Sequence, residues 1–342
     1  MASGDLERVA LTLVADGKGI LTADETVPTS TRGFEALGIK STGQSRRTYR
    51  EMLFTPRAAK CISSVIMYDE TIRQRSSRGM LLAEALAVQG GVPGINVETG
   101  AKRLAGSPDE SVTEGLDGLR ERLSECRSMG ARFAKCRAVI RITDALPSAS
   151  CVSANAHALA RYAALCQENG LVPIVEPEVL MDGSHTIERC EEVTGLVLHA
   201  ALNALFDQRV SLERMLLKPN MVVAGRTCTR QPAVEEVASA ILRCLRRHVA
   251  AAVPGVVFLS GGQTAHLATV HLNAINRLSC SKPWKISFSH GRALQDLALE
   301  AWHGRDENLA ASQTALCRRA ICNGAASVGC YSKDMELEPP RA

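Results

Sequence analysis

The sequence predicts an α/β chain closed into a (β/α)8 barrel, the TIM-barrel architecture, and three observations carry that expectation. Short apolar runs ending in polar or glycine residues occur eight times along the 342 residues, helical patterns separate them, and no Gly/Ser/Pro-rich linker divides the chain. Alternating strands and helices argue for parallel strands joined by helical crossovers, and eight such units in one uninterrupted chain favour closure. An open doubly wound sheet is the alternative. Its usual fingerprints are missing, since the "GKG" at 17–19 leads into neither GxGxxG nor GK[ST]. We expect one domain over 1–342 with a short C-terminal tail from about 331.

The eight runs, in order, are "GKGILTAD" (17–24), "SSVIMYD" (63–69), "GVPGINV" (91–97), "ARFAKCRAVI" (131–140), "LVPIVEPEVL" (171–180), "RMLLKPNMV" (214–222), "GVVFLSGG" (255–262) and "KISFSHGR" (285–292). Between the fourth run and the fifth, "SANAHALARYAALCQENG" (153–170) has apolar and small residues at helical spacing and ends on Gly170, a C-terminal stop. "AVEEVASAILRCLRRHV" (233–249) has acids in its first turn and bases in its last, as the helix dipole prefers.

Composition narrows the function classes. With 46% hydrophobic and 22% charged residues the chain can bury a large core, and charges interrupt every apolar run before the roughly 20 residues of a membrane span. The start "MASGDLERVALTL" lacks the basic, long-apolar pattern of an export signal, so we expect a cytosolic protein with no membrane partner. Twelve cysteines are scattered from Cys61 to Cys330 with no CxxC pair, which predicts reduced core residues. A net charge of +4 slightly favours small anionic ligands, and "RCLRRH" (243–248), without interleaved aromatics, predicts a solvated helix face and no nucleic-acid partner. The eight histidines form no close ligand set, so no metal is expected, and His185, His266 and His271 are expected at the surface.

In a closed barrel the carboxyl ends of the strands share one rim, which would bring together Asp24, Lys135, Arg137, Glu176, Glu178, Lys218, Ser260 and Arg292. Lys135 and Arg137 alternate with Ala134 and Cys136, and Glu176 and Glu178 alternate in the next strand. Such charges are costly against a dry helix layer, so both pairs should face the barrel interior and compensate each other. A buried ion-pair network that only fills the barrel is the competing account. Lys218 has the clearest chemical role, because desolvation and a nearby cation, for which Lys135 is the candidate, would make its amine a nucleophile toward a carbonyl. Glu176 would then shuttle protons, with Asp24 as a further acid or base. "LSGGQ" (259–263) and "SHGR" (289–292) place Ser260, Gly261, Gly291 and Arg292 after the last two strands, the usual barrel arrangement for a phosphate.

"GKGILTADE", "EGLDGL", "FAKCR", "LVPIVEPE", "LLKPNMV", "FLSGGQ", "LNAIN" and "FSHGRALQ", in this order over about residues 8–335, resemble the class I fructose-1,6-bisphosphate aldolases, the metal-independent Schiff-base type. The resemblance implies a cofactor-free glycolytic barrel lyase, often a homotetramer. Its reaction is reversible cleavage of fructose 1,6-bisphosphate to dihydroxyacetone phosphate and glyceraldehyde 3-phosphate. It implies Lys218 as the Schiff-base lysine, Glu176 as the general acid/base, Asp24, Lys135 and Arg137 as surrounding polar residues, and Glu178 as a supporting acid. Ser260, Gly261, Gly291 and Arg292 match the pocket for the phosphate nearest the ketone.

Departures gather at the other end of the substrate. Where the family carries a basic pair after "ADE", this sequence has Arg32 and Gly33, and the family's third-strand lysine is Asn96. Cys136 and His290 replace a usual tryptophan and tyrosine, and "DMELEPPRA" lacks the C-terminal tyrosine of many animal members, which leaves Glu176 as the implied agent of proton transfer. The alternatives are an aldolase preferring a ketose 1-phosphate, with Arg32 left to hold any distal phosphate, and a catalytically weakened barrel scaffold.

Overall fold

The computed structural model of the chain describes residues 4–54 and 58–337. Among them are ten strands: β1 (Gly19–Ala23), β2 (Ile62–Met67), β3 (Val92–Asn96), β4 (Gly100–Leu104), β5 (Ser107–Glu114), β6 (Phe133–Ile140), β7 (Val172–Val179), β8 (Leu216–Leu217), β9 (Gly255–Phe258) and β10 (Lys285–His290). Eight close into a barrel in the order β1-β10-β9-β8-β7-β6-β3-β2, every pair parallel. Each of the eight expected runs supplies one of them.

Two local differences have physical causes. The run at 214–222 yields only Leu216–Leu217 as regular strand, because Pro219 has no N–H to continue the ladder. The chain still lies between its neighbours: Lys218 N–H donates to the Val175 carbonyl at 2.8 Å, and the Pro219 carbonyl accepts from Leu259 N–H at 3.3 Å. β4 and β5 form an antiparallel hairpin outside the barrel. Its sequence, "GAKRLAGSPDESVTE" (100–114), is too polar to register as a strand pair. It packs through Glu110, which accepts from Ser148 N–H at 2.7 Å at the start of the helix Ala149–Glu168.

The interior is layered by the two-residue period of the strands. At the amino end Ile20, Ile66, Phe133, Val172, Ile174, Leu216 and Val257 pack with Leu6, Ala10 and Leu13 of the first helix, Gly4–Leu13, which plugs the barrel. One step further along the same strands the inward residues turn polar: Phe133 gives way to Lys135, Ile174 to Glu176, Leu216 to Lys218 and Ile20 to Thr22. The dry floor is thus apolar, and the charged layer lies above it. Ala134, Cys136 and Ala138 point the other way, into the larger core between strands and helices. Burying each large aliphatic contributes about 1.5–3 kcal/mol, so the alternation strongly resists a one-residue slip.

The helix expected over 153–170 spans Ala149–Glu168, capped by Ser148, and Gly170 stops it with φ 69°. The helix expected over 233–249 spans Val234–His248. Eight of the twelve cysteines are buried. Among the described residues no helix is long and apolar enough to cross a membrane. The segment from 331 begins docked, with the Tyr331 hydroxyl 3.0 Å from Glu336 and Glu336 paired to Arg319; residues 338–342 lie outside the described chain.

Candidate active site

Lys218 ends the β8 segment, and its amine is held inside the barrel 3.0 Å from Glu176 Oε1 and 3.3 Å from Thr22 Oγ1. It is 2% exposed. Thr22 is fixed in turn by Ser289 across the β1–β10 pair, hydroxyl to hydroxyl at 2.9 Å. Lys135 lies on the other side of Glu176, with its amine 2.9 Å from Asp24 Oδ2, 3.1 Å from Glu98 Oε1 and 3.4 Å from Glu176 Oε2. Arg137, one layer nearer solvent, pairs with Glu178 at 3.1 Å. In register Arg137 is opposite Glu176, so both pairs, Lys135–Glu176 and Arg137–Glu178, cross the strands diagonally. The expected compensation between β6 and β7 is what the geometry has.

Lys135, the candidate for a cation near Lys218, does not face it directly. Glu176 stands between Lys218 and Lys135, and Lys135 is surrounded by three carboxylates. Two ammonium groups at that depth would repel in a medium that screens poorly, so a bridging anion is the stable arrangement. Burial alone would push Glu176 up, but Lys218, Lys135 and Arg137 outweigh it and hold the carboxyl below its usual range. Asp24 behaves the same way, with Lys135 and Lys218 overcoming its burial. Burial works against the charge of Lys135 too, yet Asp24, Glu98 and Glu176 raise it well above an ordinary lysine. Glu178 has the opposite outcome: burial wins over Arg137 and raises it. One oxygen of Glu176, Oε2, is buried without a hydrogen bond although Lys135 is 3.4 Å away.

A cleft of about 680 Å³ opens above this layer. Its walls include all eleven residues singled out from the sequence: Asp24, Lys135, Arg137, Glu176, Glu178, Lys218, Ser260, Gly261, Gly291, Arg292 and Arg32. Gly261 has φ 57°, a left-handed conformation that glycine adopts without strain. Gly291 precedes the helix Arg292–Trp302, whose first N–H groups favour an anion. Arg32 reaches the cleft from the helix Val27–Glu35, exposed and bonded to Thr29 Oγ1 at 3.2 Å.

Sequence reasoning missed Glu98, Thr22, Ser289 and the part played by Asn96. Asn96 Nδ2 donates to Asp24 at 2.9 Å and to Glu98 at 3.0 Å, so it joins the two acids that also share Lys135. The rule that paired 135 with 137 would have found Glu98, two residues beyond Asn96 on the same face. Two histidine expectations are corrected: His185 and His271 are buried, 8% and 4% exposed, while His266 is at the surface as expected. His271 sits under the β9 loop against Gln263 Oε1 at 2.6 Å, and burial lowers it to about 4. His290 points away from the cleft, against Phe288 at 5.4 Å, and burial brings it to about 3. Among the described residues no group of three or more His, Cys, Asp or Glu is arranged to hold a metal ion.

Residues 5–339 match the family described as "Fructose-bisphosphate aldolase class-I", a glycolytic family. The chain belongs to the class I fructose-bisphosphate aldolases. The enzyme, a lyase, is 50% identical over 331 residues to a probable fructose-bisphosphate aldolase class 1 of Xanthomonas axonopodis pv. citri, covering 96% of this chain and 99% of that one. It is 48% identical over 329 residues to fructose-bisphosphate aldolase B of Pongo abelii, covering 96% and 90%. Its fold is similar to the Plasmodium falciparum aldolase solved with TRAP and a small-molecule inhibitor, at TM-score 0.94 and 43% identity over 96% of this chain and 95% of that chain.

Proposed function

We propose that Lys218 carries the reaction by forming a Schiff base with the ketone of fructose 1,6-bisphosphate. The observation that supports this most is a lysine amine 2% exposed at the barrel mouth, 3.0 Å from one carboxylate and beside a cleft lined with arginines. Glu176 takes a proton from the Lys218 ammonium, and the free amine adds to the carbonyl carbon. Loss of the carbonyl oxygen as water, with Glu176 returning protons, leaves a protonated imine. The C3–C4 bond then breaks: the C4 hydroxyl gives its proton to a carboxylate, Asp24 or Glu176, the electron pair moves into the iminium, and glyceraldehyde 3-phosphate leaves. Protonation at C3 and hydrolysis release dihydroxyacetone phosphate and restore the amine. Lys135 keeps Asp24 and Glu176 ionised, Arg137 and Glu178 support them, and Ser260, Gly261, Gly291 and Arg292 hold the phosphate nearest the ketone.

Borohydride reduction with dihydroxyacetone phosphate is the test. The peptide containing Lys218 gains the mass of the reduced adduct; active protein with no adduct there overturns the reading.

A second reading concerns the distal phosphate. Gly33 supplies no cation and the amide of Asn96 is committed to Asp24 and Glu98, so Arg32 is left for that end. A missing charge-assisted contact costs about 1.5–3 kcal/mol, roughly ten- to a hundredfold in binding. On this reading kcat/KM for fructose 1-phosphate approaches or exceeds that for the bisphosphate, and a strong bisphosphate preference removes it. We also propose a single catalytic domain, a cytosolic location in keeping with the glycolytic family, and a homotetramer. The last is supported by side chains such as Phe206, left 82% exposed, and is measured by light scattering on the eluting enzyme.

A further inference from the structure

Among the cleft arginines, Arg226 has no part in the chemistry above. It lies in the segment after β8, which is zipped to the segment after β7 by three backbone hydrogen bonds. Arg226 N–H donates to the Met181 carbonyl at 2.9 Å, Gly225 N–H to the His185 carbonyl at 2.9 Å and Thr227 N–H to the Gly183 carbonyl at 3.0 Å. Gly225 makes the seam possible, since a Cβ there would come within 2.2 Å of the Gly183 carbonyl oxygen. The backbone of Arg226 is therefore fixed at the rim.

Its guanidinium crosses to the neighbouring β9 loop and rests against Gly262. A Cβ on Gly262 would lie 1.9 Å from Arg226 Nη2, so the missing side chain is the space the guanidinium uses. Arg226 and Gly262 line the same cleft as Ser260, Gly261 and Arg292. Its carboxylate neighbour is Asp182 at 3.5 Å, and the two side chains are 49% and 66% exposed. A pair that long and that wet holds weakly and yields readily to a stronger anion.

We propose that Arg226 is a second arginine for the phosphate held at the β9 and β10 loops, closing on it from the β8 side as Arg292 does from the β10 side. The ligand class is a phosphomonoester, the end of a ketose 1-phosphate or a triose phosphate. Such a group carries about two negative charges near neutral pH, more than one arginine neutralises, and the guanidinium fork matches its oxygens. The inference rests on the placement of that phosphate proposed above.

The experiment is borohydride trapping at Lys218 titrated with dihydroxyacetone phosphate. In Arg226→Gln the half-saturating concentration rises about tenfold or more, while the final extent of trapping is unchanged. Arg226→Lys recovers part of the loss, since it restores charge without the fork, and Asp182→Asn lowers the half-saturating concentration by freeing the guanidinium. A half-saturating concentration within about twofold of the parent in Arg226→Gln overturns the proposal, whether or not the final extent falls. Absence of trapping in the parent overturns the Schiff-base reading instead. In that event the affinity of parent and Arg226→Gln for inorganic phosphate, measured by calorimetry, decides the role of Arg226 independently.

Discussion

Lys135 and Arg292 are both cations of one cleft, held in opposite ways. Lys135 is 2% exposed and fastened by three carboxylates on three different strands or strand ends. Arg292 is exposed at the start of its helix, beside glycines whose backbone is bare. The inner charged layer must satisfy its own charges, because an unpaired buried ion costs several kcal/mol. Charges at the rim are kept in water until a ligand arrives, so their energy can go into binding. On the function proposed above, the inner layer does the chemistry on a fixed geometry and the outer layer recognises anions.

Removing the proposed nucleophile of the inner layer is the strongest way to break this division. Lys218→Met is expected to abolish the reduced adduct and lower turnover by at least about 10⁴-fold, measured by mass spectrometry and a coupled triose assay. Glu176→Gln follows, with kcat down about 10²- to 10⁴-fold and substrate binding largely kept, because the amide fills the same volume between the lysines.

The same variant has a pH signature. Glu176 and Asp24 titrate below their ordinary values of 4.5 and 3.8, so their ionised forms add stability that is complete above those values and is lost as pH falls through the lower folded ones. Glu176→Gln should flatten the fall of melting temperature on the acid side. Glu178, raised by burial, has the reverse sign: its contribution is present below its ordinary 4.5 and is lost as pH rises through its folded value. Glu178→Gln should therefore raise the melting temperature at neutral pH relative to acid pH.

Rim variants sharpen the comparison with smaller effects confined to binding. Arg292→Gln should raise KM for phosphorylated substrates roughly ten- to a hundredfold with kcat less affected. Asn96→Lys sets a cation at the junction of the inner layer and the rim, where Asp24 and Glu98 already share Lys135. It should shift the ratio of kcat/KM between fructose 1,6-bisphosphate and fructose 1-phosphate severalfold toward the bisphosphate. An unchanged ratio would show that this position takes no part in holding the distal phosphate.

Much of the inner charged layer was legible because two rules suffice there. Apolar runs mark barrel strands, and a charge every second residue on such a run faces the interior, which placed Lys135, Arg137, Glu176 and Glu178 together. Glu98 was open to the same rule and was passed over because the run at 91–97 ends just before it. The polar hairpin β4–β5 and the burial of His185 and His271 carried no such pattern. Histidine suits both surface and interior, and only packing chooses between them.

Local pattern determined the barrel, the alternation of inward and outward residues along its strands, and which charged residues gather in one cleft, because period-two burial and family motifs are written in neighbouring positions. Tertiary structure alone decided that Glu176 separates the two lysines, that Asn96 serves two acids, and that Arg226 leans across to Gly262. These contacts join residues from different strands at one rim, and their partners depend on register, barrel closure and loop path rather than on any spacing along the chain.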